Sequence, residues 1–316
     1  MIERPDADAL LAGELGQWLI AQNAERAEVK RKAAHARRNG LIAAAVLFVA
    51  LALAGRIDWG FKLAFGAGAL GFAWAEWSKR PMLAKLKGGI NGAIARAIGL
   101  DYSAECEAGQ TFDQSCLFGM VPKFDKSNFS DLWWGLVAGQ PFTLHEARLT
   151  ETRGSGKNRH TVTVFEGQIL SIGFNRRFNS TTLIEPDNAR RRFFVGAEKE
   201  QATIGGLDLG RVDITNPLFE DRFTVWSDDQ VEARYLIHPE YVERLLAVEK
   251  AFAGEDIRAL FHGGDLLITL KTGNLFESGT LDAGEDRAMV QLAINQFTAL
   301  ADLAETLNEK ARASFS

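Results

Sequence analysis

The sequence predicts an α+β fold: an N-terminal helix and a two-helix transmembrane hairpin followed by a mainly antiparallel β-sheet domain with packed helices. Three observations support this prediction. Two apolar runs, Leu41–Ala54 and Leu63–Trp77, lie close together near the start of the chain. Residues 112–281 contain short runs rich in Val, Ile, Thr and Phe, broken by Gly, Asn, Asp and Pro, which is typical of antiparallel strands. An amphipathic helical pattern interrupts this region at residues 239–254, and another follows it at residues 285–313.

The two apolar runs predict a pair of short transmembrane helices. Because a hydrocarbon core of about 30 Å needs about 20 helical residues, the first run must continue to Ile57 and the second must start near Trp59. The turn is therefore predicted around Asp58 and Gly60. Basic residues flank both runs, namely Lys30, Arg31, Lys32, Arg37, Arg38, Lys79, Arg80, Lys85 and Lys87. Such flanks favour a membrane hairpin with both termini in the cytoplasm over the alternative, a buried hairpin in a soluble core.

Several residues of the hairpin are predicted to fix its position. Indole rings and long cationic side chains are stable at a membrane interface, because each combines an apolar part with a polar end. The predicted interface anchors are Arg56, Trp59, Lys62, Trp74 and Trp77. Small residues let helices approach closely in lipid, so Gly66, Gly68 and Gly71 are predicted to pack on the first helix or on another copy.

The hairpin divides the chain into four predicted regions. They are a cytoplasmic N-terminal helix (1–39), the transmembrane hairpin (40–78), a juxtamembrane helix and linker (79–110) and a cytoplasmic α+β domain (111–316). The apolar stripe that includes Leu15, Trp18 and Leu19 predicts a single helix from Asp6 to Asn39 that continues into the first span. The stripe has three alternative contacts: the membrane surface, the cytoplasmic domain and another chain.

The sheet domain is predicted from short alternating segments. The predicted strands are Phe142–Thr152, His160–Phe174, Arg192–Val195, Phe223–Ser227, Arg258–His262 and Leu266–Thr272. The first two are joined by a loop at residues 154–158. Gly263 and Gly264 mark the turn of the last hairpin, since glycine tolerates positive φ. The final helix, residues 285–313, is predicted to cover the sheet, with a seam between helices as the alternative.

Composition and motifs point away from several classes of function. The net charge is −5 and the basic clusters lie beside the apolar runs, so nucleic-acid binding has no support. Cys106 and Cys116 lack zinc-ligand spacing and are predicted to be ordinary reduced thiols. The Gly-Ser-Gly-Lys stretch at residues 154–157 lies between two strands, whereas a phosphate-binding loop leads into a helix. We predict no catalytic residues, no metal site and no cofactor.

Two charged clusters are candidate binding sites. Arg176 and Arg177, together with residues Arg190, Arg191 and Arg192, would form a basic patch if the two segments meet. That patch would bind a phosphate or an acidic partner, or pair with neighbouring carboxylates. Asp228 and Asp229 follow a predicted strand, where they would hold a divalent cation or cap the next segment.

A block in the second half of the chain resembles a known family. Its residues are Val212, Pro217, Phe219, Phe223, Val225, Ser227, Asp229, Glu232, Ala233, Arg234, Tyr235, Leu236 and Pro239. They resemble an uncharacterised family of bacterial two-span membrane proteins with a cytoplasmic C-terminal α+β domain of unknown function. The resemblance implies a multi-pass protein of the bacterial inner membrane and gives LemA-type membrane proteins as a lead on partners. It implies no reaction and no catalytic residue.

These observations favour a non-enzymatic role. We expect an anchored scaffold or adaptor whose partners are the lipid bilayer and either other proteins or copies of itself in a homo-oligomer. The alternative is a membrane-tethered sensor, or an enzyme acting on a phosphate-bearing substrate, with the arginine patch as its anchor.

Overall fold

The computed structural model describes residues 6–174, 178–187, 200–214, 219, 221–273 and 279–313. The chain forms two compact units. The sheet unit contains Ile94–Phe276 and Leu292–Ser316, and the helical unit contains Asp6–Ala93 and Glu277–Gln291. The helices and the antiparallel sheet of the chain confirm the predicted α+β class. The division into four regions stays a prediction.

The helical unit begins with three helices, so the prediction of one helix from Asp6 to Asn39 is wrong. They are α1 (Ala7–Ala12), α2 (Glu14–Ala21) and α3 (Asn23–Leu53). Gly13 separates α1 from α2 because its backbone is extended, with φ −92° and ψ −150°. The third helix runs without interruption from the charged segment into the first apolar run, as expected.

The fourth helix, α4 (Ile57–Ala97), contains the second apolar run and continues well beyond it. The turn between α3 and α4 lies at residues 54–56, so its predicted position around Asp58 and Gly60 is wrong. Gly55 makes this earlier turn feasible because it adopts a φ of +72°, which a residue with a side chain rarely tolerates. Asp58 and Gly60 instead lie in the first turn of α4.

Ten strands in the described residues form one antiparallel sheet. They are β1 (Leu100–Glu105), β2 (Lys126–Val137), β3 (Gln140–Arg153), β4 (His160–Gly173), β5 (Thr182–Pro186), β6 (Gln201–Ile204), β7 (Leu207–Val212), β8 (Phe223–Ser227), β9 (Glu255–His262) and β10 (Asp265–Lys271). Their order is β1-β2-β3-β4-β10-β9-β5-β8-β7-β6. Both predicted hairpins are confirmed, with Gly263 and Gly264 at φ +65° and +93°. The strand predicted at Arg192–Val195 lies outside the described residues.

Helices cover both faces of the sheet. They are α5 (Gln110–Leu117), α6 (Gln230–Leu236), α7 (Pro239–Ala251) and α8 (Asp286–Ala313). Beyond α5, Phe118 and Met120 pack with Leu260 on one face. On the other face, the ring of Phe297 in α8 lies 4.3 Å from that of Trp133, centroid to centroid. The final helix therefore covers the sheet, as predicted.

Candidate functional site

Helices α3 and α4 pair antiparallel in one register over most of the helical unit. Three contacts define this pairing: Glu25 with Lys85 (2.6 Å), Gly40 with Gly71, and Phe48 with Phe61 (4.9 Å between centroids). As the residue number rises along α3, it falls by nearly the same amount along α4. The two apolar runs therefore lie side by side as two arms of one hairpin.

Glycines bring the two arms into backbone contact. A Cβ added to Gly71 would lie 2.6 Å from the Cα of Gly40. Gly68 lies beside Ala44, with 3.9 Å between the added Cβ and that side chain, and a Cβ at Gly66 would meet no atom within 4 Å. The packing partner of Gly71 is thus Gly40, which was not predicted from the sequence. Its place just before the first apolar run was the available signal.

The hairpin exposes a continuous apolar surface, here called the apolar belt. Its large exposed side chains are Leu41, Ile42, Val46, Leu47, Val49, Leu53, Ile57, Trp59, Phe61, Leu63, Phe65, Leu70, Phe72, Trp74 and Trp77. Leu53 is 85% exposed and Phe65 is 80% exposed. Patches of this kind mark surfaces that are covered by a partner or by a membrane.

The predicted interface anchors lie at the two ends of the apolar belt. Arg56 is in the turn, and the ammonium of Lys62 lies 5.4 Å from the ring centroid of Trp59 in the neighbouring turn of α4. At the other end, the rings of Trp74 and Trp77 lie 5.3 Å apart. Their contact with lipid stays a prediction.

One helical segment in the described residues, Glu14–Leu53, is long and apolar enough to cross a membrane by length and composition. Only 6% of its apolar window is buried within the structure. A core helix of a soluble protein would be mostly buried. This observation supports membrane association.

The base of the hairpin is held by contacts within the helical unit. Trp18 packs directly on α4, since a Cβ at Gly89 would lie 2.2 Å from its ring. Arg26 is 2% exposed and donates to both carboxylate oxygens of Asp286, at 2.8 and 3.0 Å. Arg287 donates two hydrogen bonds of 2.7 Å to Asp8 on the surface. These contacts join the start of α8 to α1 and α3.

The acidic cluster after β8 binds backbone N–H groups. Asp229 caps α6 by accepting hydrogen bonds from the N–H groups of Val231 (2.8 Å) and Glu232 (3.0 Å). Asp228 accepts from the N–H of Thr181 at 2.8 Å. The carboxylate of Glu232 accepts from the N–H of Ser180, also at 2.8 Å. This geometry matches the capping alternative, and in the described parts of the chain no three metal-ligating side chains come together.

Burial shifts the pKa of several groups in the sheet unit. It lowers the pKa of His145 on β3 to about 4, because the ring is removed from water. Burial also raises the pKa of Cys106 to about 11, helped by the nearby charge of Asp131. The thiol is therefore protonated at neutral pH and a poor nucleophile.

The arginine patch predicted at Arg176, Arg177, Arg190, Arg191 and Arg192 lies outside the described residues. Its role in binding an anion or a partner stays a prediction.

Comparison with protein families matches residues 163–309 to DUF3137, described as a protein of unknown function. The family model covers the C-terminal region, which is called the DUF3137 domain below. The match extends from within β4 into α8 and includes the residues on which the resemblance was based. The predicted relation to an uncharacterised family is therefore confirmed for this region, and the DUF3137 domain brings no assigned reaction.

Among solved structures, the mycobacterial trehalose monomycolate transport factor A, TtfA, is 10% identical to this chain. The alignment covers 71% of this chain and 96% of that chain, with a TM-score of 0.36. Similarity at this level carries no functional argument for the DUF3137 domain. A comparison with curated proteins found no match.

Proposed function

We propose that the α3–α4 hairpin anchors the protein in the inner membrane of a bacterium, with both termini in the cytoplasm, and that the DUF3137 domain is a non-enzymatic scaffold. The apolar belt is the observation that carries this proposal. In water such a surface costs about 25 cal/mol per Å², and a bilayer removes that cost. Each arm is also a closed helix, which satisfies its own backbone hydrogen bonds in lipid.

The dimensions of the hairpin fit a thin bilayer. Helix α4 rises about 27 Å from Trp59 to Trp77 at 1.5 Å per residue, close to the roughly 30 Å of a hydrocarbon core. The long side chains of Arg56 and Lys62 cover the remaining distance at the turn by extending toward water. The basic residues outside the apolar belt support a cytoplasmic location for the base of the hairpin.

A topology experiment tests the anchor. A reporter fused after Ser316 is expected in the cytoplasm, and one inserted at Asp58 is expected on the opposite side of the membrane. Neutral replacements of Lys30, Arg31, Lys32, Arg37 and Arg38 together should weaken this orientation. Release of the native protein from membranes by alkaline carbonate would contradict insertion, and an inverted pair of reporters would contradict the orientation.

The contacts of charged groups in the described part of the DUF3137 domain support the proposed scaffold role. Asp228, Asp229 and Glu232 bind backbone N–H groups, so this cluster supports the fold. The alternative of a sensor or enzyme for a phosphate-bearing substrate depends on arginines outside the described residues. Binding to protein partners or to copies of the chain is the function that the architecture favours.

Mass measurement and crosslinking test the scaffold role. In mild detergent we expect an assembly heavier than the 34.7 kDa monomer, formed by copies of the chain or with a second membrane protein. LemA-type proteins are the first partners to test by co-expression. A strictly monomeric protein that forms no crosslink in its native membrane would contradict the scaffold proposal.

A further inference from the structure

The base of the hairpin carries a strong excess of positive charge. This charged collar consists of residues 25–39 on α3 and 76–87 on α4. It contains ten Lys and Arg residues against three Glu residues, whereas the whole chain has a net charge of −5. The collar is therefore strongly basic in an otherwise acidic protein.

The glutamates of the collar already have cationic partners. Glu28 binds Lys32 at 2.7 Å, and Glu25 binds Lys85 at 2.6 Å. Glu76 pairs with both Arg37 and Lys79. Outside the collar, Asp286 binds Arg26 and Asp282 lies 3.8 Å from Lys30. The remaining positive charge of the collar is thus not neutralised by these acids.

Arg38 and Arg80 are the exposed arginines that border the apolar belt. Neither is among the ion-paired residues of the collar in the part of the chain that the structure describes. Arg38 lies three residues before Leu41, and Arg80 lies three residues after Trp77. The register of α3 and α4 places Arg38 level with residue 73 of α4, about 10 Å nearer the turn than Arg80. Side chains on a helix lean toward its N-terminus, so the side chain of Arg38 extends toward the base of the hairpin and that of Arg80 extends toward the apolar belt. Both guanidinium groups therefore approach the same headgroup layer, which extends about 5–8 Å beyond the hydrocarbon core.

We propose that Arg38 and Arg80 bind the phosphates of anionic phospholipids, an inference that rests on the proposed insertion of the hairpin. A guanidinium group donates two parallel hydrogen bonds to a phosphate. The surplus charge of the collar attracts lipids with a net negative headgroup over zwitterionic ones. Continuity with the apolar belt selects a lipid over a soluble anion, because the acyl chains of the same molecule contact the belt.

Tryptophan quenching by brominated lipids tests this inference in the full-length protein. A Trp59→Phe background removes the indole at the turn, so bilayer quenching reports on Trp74 and Trp77 at the collar end. The protein is reconstituted in vesicles of phosphatidylcholine and phosphatidylglycerol, with either lipid brominated on its acyl chains. We expect brominated phosphatidylglycerol to quench more strongly at equal mole fraction.

A matched pair of variants separates these two arginines from net charge. Arg38→Gln with Arg80→Gln should reduce the preference for phosphatidylglycerol about fivefold or more, since each cation near an anionic surface contributes roughly that factor. Lys32→Gln with Lys85→Gln removes the same charge from residues already paired with glutamate. This control pair should retain most of the preference.

Each outcome has a distinct meaning. Equal quenching by the two lipids in the Trp59→Phe protein would overturn the inference while leaving insertion intact. An equal loss in both variant pairs, or abolition of the preference by inorganic phosphate, would also overturn it. Absence of quenching by either lipid would show that the hairpin is outside the bilayer, which is failure of the proposed function itself.

Discussion

Replacing Arg26 with methionine is expected to lower the free energy of unfolding by about 3–5 kcal/mol, because the carboxylate of Asp286 would be left in a buried position without its partner. Arg26 is 2% exposed, and its guanidinium group holds both oxygens of that carboxylate. Urea denaturation of the detergent-purified protein measures the loss. The contact joins α3 to α8, so limited proteolysis near the start of α8 gives a second readout.

Two further variants show whether the loss comes from the ion pair. The double replacement Arg26→Met with Asp286→Leu should regain most of the stability, since no buried charge is left unpaired. Arg287→Met removes the exposed pair with Asp8 and should have a small effect. A decrease below about 1 kcal/mol for Arg26→Met would contradict the structural role assigned to the buried pair.

Acidification from pH 6.5 to pH 4 is expected to destabilise the sheet unit by about 3 kcal/mol through His145 alone. Burial lowers the pKa of this histidine to about 4 in the folded protein, whereas an unfolded histidine has a pKa of about 6.5. Between these values the unfolded chain binds a proton that the folded chain does not. The stability is therefore present above pH 6.5 and is lost as the pH falls through this range.

The contribution of His145 is isolated by comparing variants across the same pH range. His145→Leu places an apolar, non-titrating side chain of similar size beside Phe129. This variant should give a flatter dependence of unfolding free energy on pH. His160→Gln, at an exposed position, should retain the native slope. If the His145→Leu and native curves run parallel between pH 6.5 and pH 4, the buried histidine does not control acid stability.

The accuracy of the sequence predictions depended on how local each signal was. Alternation of apolar and polar residues, together with two adjacent glycines, was enough to predict the β-hairpin that turns at Gly263 and Gly264. Asp229 followed by Glu232 at the third position was a capping signal for α6, although that helix was not predicted. Strand β1 has little alternation, and its pairing with β2 depends on tertiary contacts.

Long-range contacts were beyond sequence reasoning. Arg26 and Asp286 are separated by 260 positions, and each belongs to a segment that reads as an ordinary charged helix. Gly71 was predicted as a packing residue, but its partner Gly40 depends on the register of two long helices. Such partners follow from the three-dimensional fold rather than from a local pattern.

Because α3 is one continuous helix, a tilt at its apolar end displaces its opposite end. The axis rises about 40 Å from Arg26 to Leu53 at 1.5 Å per residue. Once its apolar end is held in a bilayer, a tilt of about 10° in response to bilayer thickness moves its Arg26 end sideways by roughly 7 Å. Because Arg26 is bound to Asp286, the first turn of α8 would follow that movement or lose the ion pair. Under the proposed insertion, a change in bilayer thickness would therefore exert force on this end of the helical unit.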